Sequence, residues 1–382
     1  MDDLLIMLPG PTNVAPRVLN AMAKPVVNHR GEEFGEIFTE TSELMSKMFK
    51  TQNQSLILSG SGTSAMEAAI ANTVNPGEKI INVTGGKFGE RLRDISTTHG
   101  INSIEIGVEW GDVVDPKKIA ETLDENEDVK AVTVIHNETS TGTHSPLKEI
   151  SKVMKNYDAL LIVDTVSSLG GDYVDVDKYG IDICFTGSQK CLAAPPGLAA
   201  ITLNDEAWKA TENVNSHTYY LNLPKCREKA LSDPPQTPYT PAVSSVYGLN
   251  EALKIIIEEE GLDNCIERHV KAAEASRNAA KALGLNLFPK NEKIASNTVT
   301  SINLPEGYTD KQVRGTMKNK YHVEVAGGQD HLNGKVFRIG HLGNISYKEL
   351  AITYTALGMT LKQIGLDVDE GAGVDAIAKA YL

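Results

Sequence analysis

Between residues 55 and 203, short apolar runs recur with amphipathic segments between them. The runs read SLILS, KIINV, INSIEI, AVTVIH, ALLIVD, IDICFT and LAAITL. The segments between them include SAMEAAIANTV, FGERLRDISTTHG, PKKIAETLDEN and PLKEISKVMKNY. Strand–helix alternation of this kind predicts an α/β domain with a mostly parallel sheet of seven strands. The runs are apolar throughout rather than alternating, which predicts a sheet covered by helices on both faces.

Residues 204–240 are irregular and Pro-rich (LSDPPQTPYTPAV), and a long helical pattern follows. In SSVYGLNEALKIIIEEEGLDNCIERHVKAAEASRNAAKALG, apolar residues recur at spacings of three and four, and Gly261 predicts a break into two helices. The remainder mixes strands (TVTSINL, HVEVAG, VFRIG) with helices (DKQVRGTMKN, YKELAITYTALGMTLKQIG). The pattern therefore divides the chain into a large domain, 21–244, and a smaller α+β domain, 245–382. No internal repeat or low-complexity tract interrupts it.

Composition narrows the function classes. The chain has 382 residues, 41% apolar and 23% charged, which is ordinary for a packed globular protein. A net charge of −13 argues against nucleic acid and anionic membrane as partners. MDDLLIMLPGPTN holds an apolar stretch too short for a signal peptide or a membrane span. Cys184, Cys191, Cys226 and Cys265 form no CxxC pair and have no His at metal-ligand spacing. No metal is expected on that ground, and reduced thiols point to a cytoplasmic protein. Cys191 adjoins Lys190, but no His–Cys pairing supports it as a nucleophile.

Three stretches carry candidate chemistry. SLILSGSGTSAMEAAI is a strand, a Gly/Ser loop and a helix, and a helix start of this kind binds phosphate. Gly60 to Ala65 also fits G-x-G-x-x-A, but the dinucleotide reading needs an acid at the end of the next strand. That strand ends INVTGGK, so the reading fails and a phosphate cradle or a bare turn remains. In ALLIVDTVSSLGG, Asp164 closes five apolar residues, and a carboxylate there needs a cation or several donors. The alternative is an Asp capping nearby loop N–H groups. In FTGSQKCLAAPPG, Lys190 follows the next strand, and a desolvated lysine is a nucleophile able to form a Schiff base. Gly187, Ser188, Ala193 and Ala194 beside it leave room for a planar ligand. Phosphate loop, acid and lysine at successive strand ends together describe pyridoxal 5'-phosphate.

At these motifs the chain resembles the class V (fold type I) aminotransferases, nearest the alanine–glyoxylate and serine–pyruvate branch. The resemblance rests on LPGPTNVAPRVLNAM, HRGEEF, SGSGTSAMEAA, HNETSTG, VDTVSSLGG, GSQKCLAAPPG, TPAVSSVYGLNEAL and FRIGHLG, and it runs nearly end to end. It implies a fold type I architecture in which residues 1–20 close over the active site. It implies that Ser61, Gly62, Thr63 and Gln189 hold the phosphate, that Thr139 bonds the ring hydroxyl, and that Phe88 stacks on the ring where close relatives carry Trp. Asp164 pairs with the ring nitrogen and Lys190 with the aldehyde. Thr240 reaches the phosphate of a partner subunit, implying a homodimer with shared sites. The family places a Tyr three residues before that Thr; here Thr237 stands there, with Tyr239 as a substitute.

Arg338 in VFRIGHLG matches the family arginine for the substrate α-carboxylate, and a fork of N–H donors suits that group. The resemblance implies ping-pong transfer from alanine or serine to a 2-oxo acid such as glyoxylate or pyruvate. Arg30 in VVNHRGEEF is a candidate second anion site that would admit aspartate or phosphoserine; the alternative is an exposed arginine paired with Glu32 or Glu33. A lyase or desulfurase of the same fold would need a cysteine beyond Cys265, and the chain has none. A non-catalytic relative would be free to lose Lys190, Asp164 and Arg338.

Overall fold

A computed structural model describes residues 4–215 and 218–382. Residues 1–3 of the N-terminal segment and 216–217 of the irregular stretch lie outside it. In chain order the strands are β1 (Leu5–Met7), β2 (Ser55–Ser59), β3 (Lys79–Thr84), β4 (Asn102–Gly107), β5 (Val129–Ile135), β6 (Asn137–Glu138), β7 (Thr143–His144), β8 (Leu160–Asp164), β9 (Ile183–Gly187), β10 (Leu198–Leu203), β11 (Val299–Asn303), β12 (Val323–Gly327) and β13 (Val336–Gly340).

Each of the seven apolar runs forms one strand of a single sheet, ordered β2-β10-β9-β8-β5-β3-β4. Only β10 is antiparallel, to both β2 and β9. Every residue of β8 and β9 is buried. Because successive side chains point to opposite faces, both faces of the sheet are covered. Burying Ile162, Val163 and Ile183 completely contributes on the order of 1.5–3 kcal/mol per side chain.

A second sheet, β1-β12-β13-β11, has its own apolar cluster of Met7, Val323, Val325, Phe337 and Ile339 against Met317, Leu350 and Leu357. Here β1 runs parallel to β12, pairing Leu5 with Val323 and Met7 with Val325. The pattern of apolar residues did not foretell this, since the N-terminal stretch carries no sign of so distant a partner. The long helical run is broken at Gly261, whose φ of 83° favours glycine. Its parts are helices Val243–Lys254 and Leu262–Ala282, with a π-helical turn, Ile255–Glu260, between them.

Candidate active site

Asp164 ends β8, in register with Ile135 of β5 and Phe185 of β9. One carboxylate oxygen accepts the Val166 N–H at 2.7 Å. Burial pushes its pKa up to about 7 against the pull of that bond. Near neutral pH a carboxyl so placed is only partly ionised, and a cation brought to it would complete the ionisation.

Lys190 lies just past the end of β9, in a loop that Ser188 closes. Ser188 Oγ donates to the Pro195 carbonyl at 2.6 Å, and the Ala194 N–H donates to the Ser188 carbonyl at 3.1 Å. These small residues, expected to leave space for a ligand, thus fold the loop back on itself. The lysine side chain is buried under the N-terminal segment, its Nζ donating to the Pro9 carbonyl. Gly10 has a φ of 109°, which favours glycine, and a Cβ there would stand 2.6–2.8 Å from Lys190 Cδ, Cε and Nζ and push the lysine aside. Thr12 fastens the same strap: its N–H donates to the Gln189 carbonyl and its hydroxyl to the Lys190 carbonyl, each at 3.2 Å. Burial pushes the Lys190 pKa down to about 8, with Asp164 opposing the shift and Arg338 adding to it.

The phosphate cradle forms where β2 meets the helix Gly62–Ala71. Ser61 holds the N-cap in extended backbone without using its side chain; the Ser64 N–H donates to the Ser61 carbonyl at 2.8 Å, and the Gly62 and Thr63 N–H groups ahead of it are left for a ligand. A Cβ on Gly62 would lie 2.8 Å from Val166 Cγ2. Gln189 Oε1 is buried without a partner; it lies 2.9 Å, and Gly62 N 3.5 Å, from where a Gly187 Cβ would stand. Helix-start N–H groups suit a phosphate, the Asp164 carboxyl suits a protonated pyridine nitrogen, and the buried amine suits an aldehyde. These residues fit pyridoxal 5'-phosphate.

Two residues that sequence reasoning did not single out organise the opposite wall. Glu138 is buried; one oxygen accepts the Phe88 and Gly89 N–H groups at 3.1 Å each, and the other accepts the Ser140 N–H at 3.1 Å and hydroxyl at 2.5 Å. It therefore holds the start of helix Lys87–Thr98, and with it Phe88. Burial still pushes its pKa up against these four bonds. Arg91 lies with its guanidinium 4.7 Å from the Phe88 ring centre and donates to Thr63 Oγ1 at 3.2 Å, joining ring wall to cradle. An acid set among small polar residues directly after an apolar strand was the available signal for Glu138. Arg91 gave none. Thr139 Oγ1 lies 2.6 Å from Ser167 Oγ.

Arg338 projects from β13 and is buried. Its Nε donates to the Gly327 carbonyl at 2.9 Å and its Nη1 to the Thr139 carbonyl at 2.8 Å. No carboxylate pairs with it among the described residues, and burial pushes its pKa down to about 10. A guanidinium held by carbonyls and lacking an anion is prepared for one.

The remaining candidates lie outside this group. Thr240 is exposed on the subunit surface. Thr237 is buried and donates to the Tyr239 carbonyl at 2.5 Å, while Tyr239 stacks on Tyr220 with ring centres 4.1 Å apart. Arg30 is exposed and donates to Gln236 Oε1 at 2.7 Å rather than pairing with Glu32 or Glu33. Cys191 is buried, its Sγ against the Ser167 carbonyl, and burial pushes its thiol pKa up, away from a thiolate.

A family model described as aminotransferase class-V matches residues 9–340. An uncharacterized aminotransferase of Methanocaldococcus jannaschii is 50% identical over 379 residues, covering 99% of this chain and 97% of that one. The serine–glyoxylate aminotransferase of Methylorubrum extorquens is 34% identical, covering 99% of this chain and 95% of its own length. The crystal structure of ureidoglycine–glyoxylate aminotransferase from Bacillus subtilis superposes with a TM-score of 0.94 at 31% identity, over 100% of this chain and 98% of that one.

Proposed function

The chain belongs to the class V aminotransferases, which use pyridoxal 5'-phosphate, and from that premise we propose that it transfers the amino group of a small amino acid of the alanine or serine class to glyoxylate or pyruvate. The observation that carries this reading is a buried arginine, held by two carbonyls and lacking an anion, together with a buried acid and a buried lysine at the ends of adjacent strands. The serine–glyoxylate and ureidoglycine–glyoxylate enzymes share an acceptor and differ in donor, which supports glyoxylate here.

In this reading Ser61, Gly62, Thr63 and Gln189 grip the phosphate, and Thr240, exposed on its own subunit, reaches the phosphate held by the second subunit of a homodimer. Phe88 stacks on the ring and Thr139 bonds its hydroxyl. Bound pyridoxal phosphate supplies an aldehyde that condenses with amines and a ring that takes up the electron pair left at the substrate carbon. Arg338 binds the substrate α-carboxylate and so fixes the Cα–H bond. Lys190 Nζ, as a neutral amine, would take the Cα proton and pass it to the carbon that had been the cofactor's aldehyde, so that the amino group stays with the cofactor. Asp164 keeps the ring nitrogen protonated. The N-terminal strap over Lys190 excludes water. No helix of the described residues is long and apolar enough to cross a membrane; the reading places the enzyme in the cytoplasm, acting on small molecules.

The test is the visible spectrum of the loaded enzyme after single additions of alanine, serine, aspartate and phosphoserine, then of glyoxylate or pyruvate. Alanine or serine should convert the cofactor to its amine form, and glyoxylate should restore it; a spectrum that no donor shifts would sink the proposal. Arg338→Ala should lose roughly 100- to 1,000-fold in kcat/KM for every amino-acid donor, the scale of two charge-assisted hydrogen bonds. Arg30→Ala should leave the alanine rate unchanged; if it selectively lowers the aspartate rate, the dicarboxylate reading replaces this one.

A further inference from the structure

Away from the lysine pocket, side chains from three separate segments meet at an open cleft of about 310 Å3. His136 follows β5, His144 ends β7, and Asp172 closes the turn after β8. One potential ligand atom from each lies within 4.8 Å of the other two. His136 is buried; its Nδ1 lies 3.0 Å from Ser168 Oγ, and its Nε2 has no partner among the described residues. His144 Nε2 lies 3.1 Å from the Lys293 carbonyl, which can only accept, so that nitrogen carries hydrogen. This leaves His144 Nδ1 facing Asp172 Oδ2 at 2.9 Å, while the other Asp172 oxygen accepts the Tyr173 N–H at 2.8 Å.

Each imidazole is thus anchored through one nitrogen, which leaves the other, His136 Nε2 and His144 Nδ1, for a ligand. Metal-binding histidines are held in this way, the outer nitrogen fixed by a carbonyl or a similar group. We propose that His136 Nε2, His144 Nδ1 and Asp172 Oδ2 bind a divalent ion of the zinc class, with water from the cleft completing its coordination. Two imidazoles and a carboxylate are a donor set for zinc. His144 Nδ1 and Asp172 Oδ2, 2.9 Å apart, have to spread by a few tenths of an ångström to the roughly 3.3–3.4 Å between tetrahedral ligands about 2.0–2.1 Å from one ion, while His136 closes in from within 4.8 Å. The ion takes the place of the proton between His144 and Asp172.

Such an ion braces the active site from behind. The His136 N–H donates to the Asp164 carbonyl at 2.9 Å, and Ser168 adjoins Ser167, which meets Thr139. The cofactor-loaded enzyme, stripped with a chelator and dialysed, is titrated with Zn2+ alone while bound metal, heat of binding and Tm are recorded. One ion per subunit and a rise in Tm are expected. His144→Ala and Asp172→Asn should each weaken binding by about 100-fold or more while transamination confirms that they are folded. A wild-type enzyme that retains no zinc, or folded variants that bind it as tightly as wild type, would overturn the site.

Discussion

Lys190→Ala will still take up pyridoxal phosphate, and its turnover of amino acids will fall at least about ten-thousand-fold. Binding should survive because, in the proposed reading, the Asp164 contact and all of the phosphate grip except Gln189 come from other strand ends. Turnover is lost because the other cations whose charge bears on Lys190 among the described residues, Arg338 and Arg91, are guanidiniums that do not give up a proton. The loaded variant should also lack the wild-type absorption that depends on the lysine. Single-turnover measurement with alanine decides the matter, and a variant within a hundredfold of wild type would remove Lys190 from the reaction. An added small amine that restores part of the rate would identify the missing group as the base.

Asp164→Asn will separate stability from activity. The carboxyl has an ordinary pKa of 3.8 and a folded-state pKa pushed up to about 7 by burial. In the cofactor-free protein its effect is neutral below the ordinary value. The folded state then loses stability relative to the unfolded one as pH rises from about 3.8 to about 7, and the loss levels off above that at about 4 kcal/mol. An uncharged asparagine escapes that loss. The cofactor-free variant should therefore unfold at a higher temperature than wild type at pH 8 and show no such advantage at pH 4. Its transamination should drop roughly a thousandfold, because the ring nitrogen is no longer held protonated. Thermal unfolding at the two pH values with a rate at pH 8 checks both limbs; a variant that is less stable at pH 8 would show that the buried carboxyl is not strained.

What the chain reveals in advance follows from where the physics is local. The seven runs were legible because a doubly covered sheet needs strands that are apolar throughout, and Asp164 and Lys190 stood out against such runs. Strand β1 was not legible, because three residues become a strand only when β12 is beside them. Glu138 and Arg91 were hidden for a related reason: one acts by collecting N–H groups from a loop fifty residues away, the other by lying on a ring. His136, His144 and Asp172 have no ligand spacing along the chain and converge only after β5, β7 and β8 are set in place.

The strap over Lys190 bears on the order in which the protein is made. Pro9, Gly10 and Thr12 can settle on the lysine loop only once β1 has its place, and β1 depends on a partner strand at residues 323–327. On the ribosome the large sheet is complete by residue 203, long before that partner emerges. A nascent chain therefore presents Lys190 uncovered while the whole stretch between it and β12 is being made, and only the arrival of β12 lets the N-terminal strap close over it.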